Sequence, residues 1–461
     1  MIFDIAILGS GPGGYVCAVR AAQLGLQVAI IEMEKKLGGT CLNRGCIPTK
    51  ALLQTAHTKR IIEKSAEFGI ESHIESINFE KVINRSCEIV SGLNSNLDKL
   101  MERNKITIFN GIGKFLDKKT LIINDKDKVT ARNIVIATGA IPRILPIIPK
   151  KLIEKGLIWT STEAMLAQKC PKKLLVIGSG AIGVEFASFY NTMGSDVSVI
   201  EIQDRILVNE DTEISKTAQR AFEKKGIKFK LKTTIGEFLE TDDGKLSVEM
   251  SDGSIELFDK CVVATGVVPN TKDLGLEKIG IKVSENGNII TDKFMQTSVP
   301  NIYAIGDVVS TPWLAHKASR EGMICAEKIA KKTDIQTIVY SKIPSCTYSD
   351  PEIASIGMTE HQAQENNIKV KIGRSYFKGN GRALVLGETG GFVKVIFDSK
   401  TGECLGAHMI GPDVTELISV FSVIVSAELT EKEIISTIFP HPTISECLHE
   451  AVMDAYGIGI H

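Results

Sequence analysis

The sequence predicts an α/β protein built from two Rossmann-like dinucleotide-binding domains and a C-terminal α+β domain. An apolar run, Ile5 to Leu8, leads into Gly9-Ser10-Gly11-Pro12-Gly13-Gly14, and the same arrangement recurs as Leu174 to Ile177 leading into Gly178-Ser179-Gly180-Ala181-Ile182-Gly183. In each copy a second apolar run ends in an acid, Val28 to Ile31 with Glu32 and Val197 to Ile200 with Glu201, and 23 residues separate first glycine from acid both times. Beyond about Tyr340 the pattern changes to short alternating strands such as Gly391 to Phe397, then an apolar helix over Val414 to Ala427. A strand, a glycine turn, a helix and a second strand closing on an acid is the signature of a dinucleotide site.

Each glycine loop has its own chemistry. The first glycine makes the tight turn, the second lets backbone approach a pyrophosphate, and the third lets helix pack on strand, so phosphate meets the helix N–H groups. Gly9, Gly11 and Gly14 form one loop, and Gly178, Gly180 and Gly183 the other. Glu201 can accept a hydrogen bond from a ribose 2'-hydroxyl, and its charge repels the extra phosphate of NADP, so the second site is expected to take NAD. Glu32 has the matching place at the first nucleotide; its other reading is a solvated loop charge. The units close with similar phrases, Ala137-Thr138-Gly139 before Pro142 and Ala264-Thr265-Gly266 before Pro269.

Length and composition fit this frame. At roughly 150 residues per domain, 461 residues suggest about three domains. A net charge of −1 and 24% charged residues give no excess with which to hold nucleic acid or an acidic membrane. No apolar run approaches the ~18 residues of a membrane helix, and the start of the chain has no signal-peptide pattern. Ten cysteines over this length are too sparse for a secreted disulfide scaffold, so a reducing cytoplasm is the expected location.

The sharpest local signal is Gly38-Gly39-Thr40-Cys41-Leu42-Asn43-Arg44-Gly45-Cys46-Ile47-Pro48-Thr49-Lys50. In a regular helix, residues five apart are separated by ~7.5 Å along the axis alone, beyond the usual Cα limit of about 7 Å for a disulfide. A bridge between Cys41 and Cys46 therefore demands a distorted backbone, which Gly45 and Pro48 permit. Buried thiols or zinc ligands are the alternatives, but no second cysteine pair or histidine cluster nearby completes a tetrahedral site. No metal is expected, and a redox-active pair beside a nucleotide is the better account.

This stretch closely resembles the active-site segment of the pyridine nucleotide-disulfide oxidoreductases, most closely their dihydrolipoamide-oxidising members. The resemblance continues through Asn301-Ile302-Tyr303-Ala304-Ile305-Gly306-Asp307, Leu314-Ala315-His316, Tyr348-Ser349-Asp350-Pro351-Glu352 and His441-Pro442-Thr443-Ile444-Ser445-Glu446. It implies that Gly9, Gly11, Gly14, Glu32, Lys50, Gly113, Asp307 and Ala315 hold FAD, and that Gly178, Gly180, Gly183, Glu201 and Gly266 hold NAD. It further implies that Lys50 sits at the flavin with Glu185 as ion partner, that Cys46 faces the flavin, and that Cys41 exchanges with substrate. His441, oriented by Glu446, would be the base, serving the cysteines of the other subunit in a homodimer. The implied divisions are 1–145 for the first part of the FAD domain, 146–270 for the NAD domain, 271–340 completing the FAD domain and 341–461 for a dimerisation domain. Many relatives carry an arginine after the glycine of the second Ala-Thr-Gly phrase, whereas here Val267-Val268 follow Gly266.

The expected reaction is oxidation of dihydrolipoamide with reduction of NAD+. The chain opens at the flavin domain with no preceding lipoyl module, so the lipoyl group is expected on a separate protein, within a 2-oxo acid dehydrogenase or glycine cleavage system. The competing readings are a glutathione or mercuric reductase-like enzyme, which Glu201 argues against, a silent binding subunit, and a flavin transhydrogenase or NADH oxidase.

Overall fold

A computed structural model describes residues 2–461 of the chain. The fold divides into two compact units, one formed by Met1–Ala51, Lys81–Arg143 and Gly266–Val339, the other by Leu52–Glu80, Ile144–Thr265 and Tyr340–His461.

The first unit is organised around β1 (Ile2–Leu8), which leads into helix α1 (Pro12–Gln23) and then β2 (Val28–Glu32). Proline suits the first turn of α1, because its missing N–H has no helical partner there. Two helices follow in quick succession, α2 (Gly39–Arg44) and α3 (Cys46–Lys64), and then the long helix α4 (Phe79–Arg103). β1 lies between β2 and β3 (Asp127–Ile136), parallel to both. Strand Thr107–Asn110 extends the sheet beyond β2, and Ile302–Ala304 returns late in the chain to pair parallel with β3. β2 is buried throughout and β1 from Ile5 to Leu8, which is why they read as continuous apolar runs rather than alternations. The strand order runs outward from β1 on both sides, and the first glycine loop sits at its carboxyl end, where open α/β sheets bind ligands.

The second unit repeats this plan with β4 (Lys173–Ile177), α5 (Ala181–Thr192) and β5 (Asp196–Ile200). Its parallel sheet runs in the order Lys228–Lys230, β5, β4, Lys260–Val263, Ile158–Trp159, with an antiparallel meander over 235–258 beside it. The C-terminal part is a five-stranded antiparallel sheet, 345–347, 352–357, 404–411, 392–398 and 370–376, backed by helices Val414–Ser426 and Glu446–Ala455.

One element departs from the sequence reading. The strand Phe392–Asp398 is not half-exposed: six of its seven residues are buried. Lys394, which reads as a solvent-facing position, is 1% exposed. Its ammonium instead lies 2.9 Å from Asp211 and 2.6 Å from Glu360, so paired charge takes the place of hydration.

Candidate active site

The two glycine loops have the same construction. Gly9 has φ +106° and Gly178 +97°, and a Cβ at either would lie 2.4 or 2.5 Å from the carbonyl of Ala137 or Ala264. At Gly14 and Gly183 an added Cβ would strike the carbonyl of Gly9 or Gly178 at 2.0 Å, so the third glycine is demanded by packing in both loops. The middle glycines differ in kind. Gly180 has nothing within 4 Å of its absent side chain, and Gly11 only Gly39 Cα at 4.0 Å. Each caps its helix without a side-chain hydrogen bond, so no cap side chain satisfies the first-turn N–H groups. An uncapped helix end with room over it fits an anionic pyrophosphate.

Both acids are locked by the serine of the adjoining loop. The backbone N–H and hydroxyl of Ser10 donate to one Glu32 oxygen at 2.9 and 2.6 Å, and those of Ser179 to Glu201 at 2.9 and 2.7 Å. The second oxygen accepts from Glu34 N or Gln203 N, at 2.9 Å in each case. Glu32 is 6% exposed, so it is not a solvated loop charge. These serines carry a role the sequence reading passed over, although they occupy the same place in both repeats.

The cysteine pair lies in the first unit. α2 carries Cys41, α3 begins at Cys46, and Gly45 between them has φ −148° and ψ −111°, which breaks the helix. A Cβ at Gly45 would sit 2.9 Å from Thr40 O and 3.3 Å from Cys41 Cα, so only glycine lets the two helix ends approach this closely. Both cysteines are half-buried thiols here, with their side chains in hydrogen-bond contact. The Cys41 thiol is pushed well above its ordinary range, first by its bond to Cys46, then by burial, while the Lys50 ammonium pulls it down. The pair thus carries one negative charge far more readily than two. The turn before α2 is seated on the first glycine loop: Gly38 N donates to Ser10 O at 3.1 Å, and a Cβ at Gly39 would lie 2.6 Å from Gly11 Cα.

The remaining first-unit positions are more varied. Gly113 packs its Cα face on Leu8 and Ile31, so only its backbone is left for a ligand. Ala315 begins the helix Ala315–Ile329, whose N-cap Leu314 makes no side-chain cap. Asp307 lies in a single 3₁₀ turn, its carboxyl raised by burial and lowered in part by Lys317. That turn is clamped by a pair the sequence reading missed. Glu321 accepts from Gly306 N at 2.7 Å, and Lys317 donates to Gly306 O at 3.0 Å and Ser310 O at 3.2 Å. The Lys317 and Glu321 side chains lie 3.2 Å apart, both 0% exposed. Their i, i+4 spacing was legible, but not their burial. Replacing Lys317 with methionine leaves Glu321 as an uncompensated buried charge, at a cost of about 3–5 kcal/mol. We expect a markedly lower melting temperature and readier loss of flavin fluorescence quenching; unchanged melting would contradict this.

In the second unit Glu185 lies on α5, 5% exposed, and accepts from Tyr348 N at 2.9 Å. His441 is joined through Nδ1 to Glu446 Oε1 at 2.8 Å, and Glu446 Oε2 accepts from Thr443 N at 2.8 Å. Burial raises the Glu446 carboxyl, but the Thr443 amide and His441 outweigh it, so it lies below the ordinary carboxylate range. The imidazole side chain is 79% exposed, and Nε2 is the nitrogen left to exchange a proton. Gly266 has φ +94° and begins the return into the first unit, where Val267 and Val268 pair with Pro142 and Ile141. The two valines are therefore ladder residues, for which β-branching is well suited.

Two nucleotide loops and a dithiol turn define a flavin-dependent oxidoreductase, and the chain belongs to the pyridine nucleotide-disulphide oxidoreductase family. Its family model matches residues 3–322, and the family's dimerisation-domain model matches 343–452. The chain is 44% identical to a dihydrolipoyl dehydrogenase of Rhizobium etli, over 99% of this chain and 98% of that protein. It is 43% identical to one of Zymomonas mobilis, over 100% and 99%. Among solved structures it is similar to the Cu(II) complex of the flavoprotein disulfide reductase RclA from Escherichia coli, with TM-score 0.89, 27% identity, and coverage of 98% of this chain and 99% of that one. The chain is an enzyme, and FAD and NAD are its cofactors. Among the described residues, no helix is long and apolar enough to cross a membrane.

Proposed function

We propose that this chain oxidises protein-bound dihydrolipoamide to lipoamide and reduces NAD+, with Cys41 and Cys46 as the electron-carrying pair. The observation that carries the reading is the dithiol turn seated on the first nucleotide loop, Gly38 bonded to Ser10 and Gly39 against Gly11. In this reading Gly9, Gly11, Gly14, Glu32, Lys50, Gly113, Asp307 and Ala315 hold FAD, within a domain formed by 1–145 and 271–340. Gly178, Gly180, Gly183, Glu201 and Gly266 hold NAD, Glu185 serves the flavin side, and residues 341–461 supply the interface of a homodimer. The lipoyl groups come from the lipoyl domains of a 2-oxo acid dehydrogenase or glycine cleavage system in the cytoplasm.

The reaction begins with the Cys41–Cys46 disulfide. A substrate thiol passes its proton to His441 Nε2 of the other subunit and attacks Cys41 as the thiolate, and Cys46 leaves as thiolate. The second substrate thiol then displaces Cys41, releasing lipoamide and leaving a dithiol. Glu446 holds the imidazole in one tautomer and stabilises the imidazolium. Lys50, whose charge opposes the rise at Cys41, favours the singly ionised pair. FAD, when bound, supplies the two-electron relay from the pair to NAD+.

The test is NADH formation by purified holoenzyme from dihydrolipoamide and NAD+, set beside oxidised glutathione with NADPH. Activity in the first assay only is expected; activity in the second only would make this a different disulfide reductase. Replacing Glu201 with alanine removes a charged hydrogen-bond acceptor worth about 1.5–3 kcal/mol. The KM for NAD+ is expected to rise roughly ten- to a hundredfold by the same figure, with discrimination against NADP+ largely lost. An unchanged KM would remove Glu201 from the ribose site.

A further inference from the structure

The helix α4 turns an apolar stripe toward the first unit's interior: Val82, Ile83, Ser86, Val90, Asn94, Leu97 and Met101 are its buried residues. Two polar residues interrupt that stripe, and both are spent on the segment that carries the cysteines. Asn94 Nδ2 donates to Leu37 O at 2.9 Å and to Asn43 Oδ1 at 3.0 Å, while Asn43 Nδ2 donates to the same Leu37 O at 2.9 Å. Leu37 directly precedes the double glycine, and Asn43 lies two residues beyond Cys41 on α2. The Ser86 hydroxyl donates to Pro48 O at 3.2 Å, and Arg85 Nη1 to Ala51 O at 3.3 Å, both on α3. One helix therefore grips both helices that meet at Gly45.

Asn94 is 5% exposed, and its Oδ1 is buried with no hydrogen-bond partner. A buried acceptor left unmatched is unfavourable, and a leucine would complete the stripe better. Packing alone does not account for asparagine here; its two donor bonds do. We propose that Asn94 is a positioning residue for the dithiol: by tying α2 to α4 it fixes the separation of Cys41 from Cys46 and so sets how readily the pair forms its disulfide.

The inference rests on the redox role of the pair given above. Asn94→Leu releases α2 from its anchor, so Cys41 spends less time within bonding distance of Cys46. Disulfide formation (two thiols losing two protons and two electrons to an added glutathione disulfide) should become about tenfold less favourable, about 30 mV toward easier reduction for a two-electron couple.

The experiment equilibrates holoenzyme in glutathione redox buffers, traps free thiols by alkylation and counts them at Cys41 and Cys46 by mass spectrometry. Leu97→Ala, on the same stripe, provides a variant that weakens packing and leaves the Asn94 hydrogen bonds to Leu37 and Asn43 in place. The expected result is a shifted midpoint for Asn94→Leu, a smaller shift in the same direction for Asn94→Thr, and none for Leu97→Ala. Should Asn94→Leu fail to fold, the threonine variant carries the test. Equal midpoints in wild type and Asn94 variants overturn the positioning role, as does an equal shift for Leu97→Ala. A wild-type pair that never forms a disulfide overturns the redox reading itself.

Discussion

Replacing Cys46 with serine is expected to abolish NADH formation from dihydrolipoamide. Cys41 alone can still attack an added disulfide to form a mixed disulfide, one sulfur of that disulfide leaving as thiolate, but no internal disulfide exists to carry two electrons onward, so the first exchange has no successor. Cys41 is raised first by its hydrogen bond to Cys46 and then by burial, with Lys50 opposing. Loss of Cys46 removes what most suppresses ionisation at Cys41. The Cys46→Ser protein should therefore accumulate a mixed disulfide at Cys41 when treated with lipoamide, detectable by intact mass. Retention of dithiol turnover in this variant would instead favour a flavin reaction that bypasses the cysteines.

Replacing His441 with glutamine is expected to lower kcat by about 10²–10⁴-fold, the usual range for removing a general base. Glutamine keeps a polar side chain of similar reach but cannot take a proton. Glu446→Gln should cost less, because the imidazole survives while its orientation loosens; the 2.8 Å bond from His441 Nδ1 is weakened rather than its base removed. The sign of the Glu446 shift bears on pH. A carboxyl held below its ordinary range keeps its pairing above the unfolded value and loses it only as pH falls through the lowered one. The His441–Glu446 tether should therefore persist throughout the neutral and mildly acidic range, and Glu446→Gln should lower the rate across all of it. Steady-state kinetics across pH, with dihydrolipoamide varied at saturating NAD+, checks both variants. A His441→Gln enzyme of wild-type kcat would exclude proton transfer by this residue.

Much of this site is legible in the sequence because glycine and spacing carry it. The two loops, their acids and the strands before them repeat in register, and a repeat is visible wherever backbone demands the absence of a side chain, as Gly9 and Gly178 do against the carbonyls of Ala137 and Ala264. The break between Cys41 and Cys46 is equally open to arithmetic on helix rise. What sequence patterning hides is buried charge. Lys317 and Lys394 each sit where an alternating or helical pattern assigns a solvent-facing cation, yet one clamps the Gly306–Asp307 turn and the other joins Asp211 and Glu360. Their burial depends on acids brought near by folding, which periodicity does not report. Ser10 and Asn94 escape notice for a related reason, since a short polar residue in a loop or apolar stripe acquires meaning only from the distant atoms it bonds.

Whether electrons pass from a substrate dithiol through Cys41 and Cys46 to NAD+ is measured most directly by anaerobic titration of the holoenzyme with dihydrolipoamide. Parallel samples, before and after NAD+ is added, are alkylated and their labelled cysteines identified. We predict that thiols at Cys41 and Cys46 appear with the dithiol and disappear with NAD+, one NADH forming for each pair reoxidised. NADH formed while both cysteines stay unchanged, or a reduced pair that NAD+ never reoxidises, would contradict this.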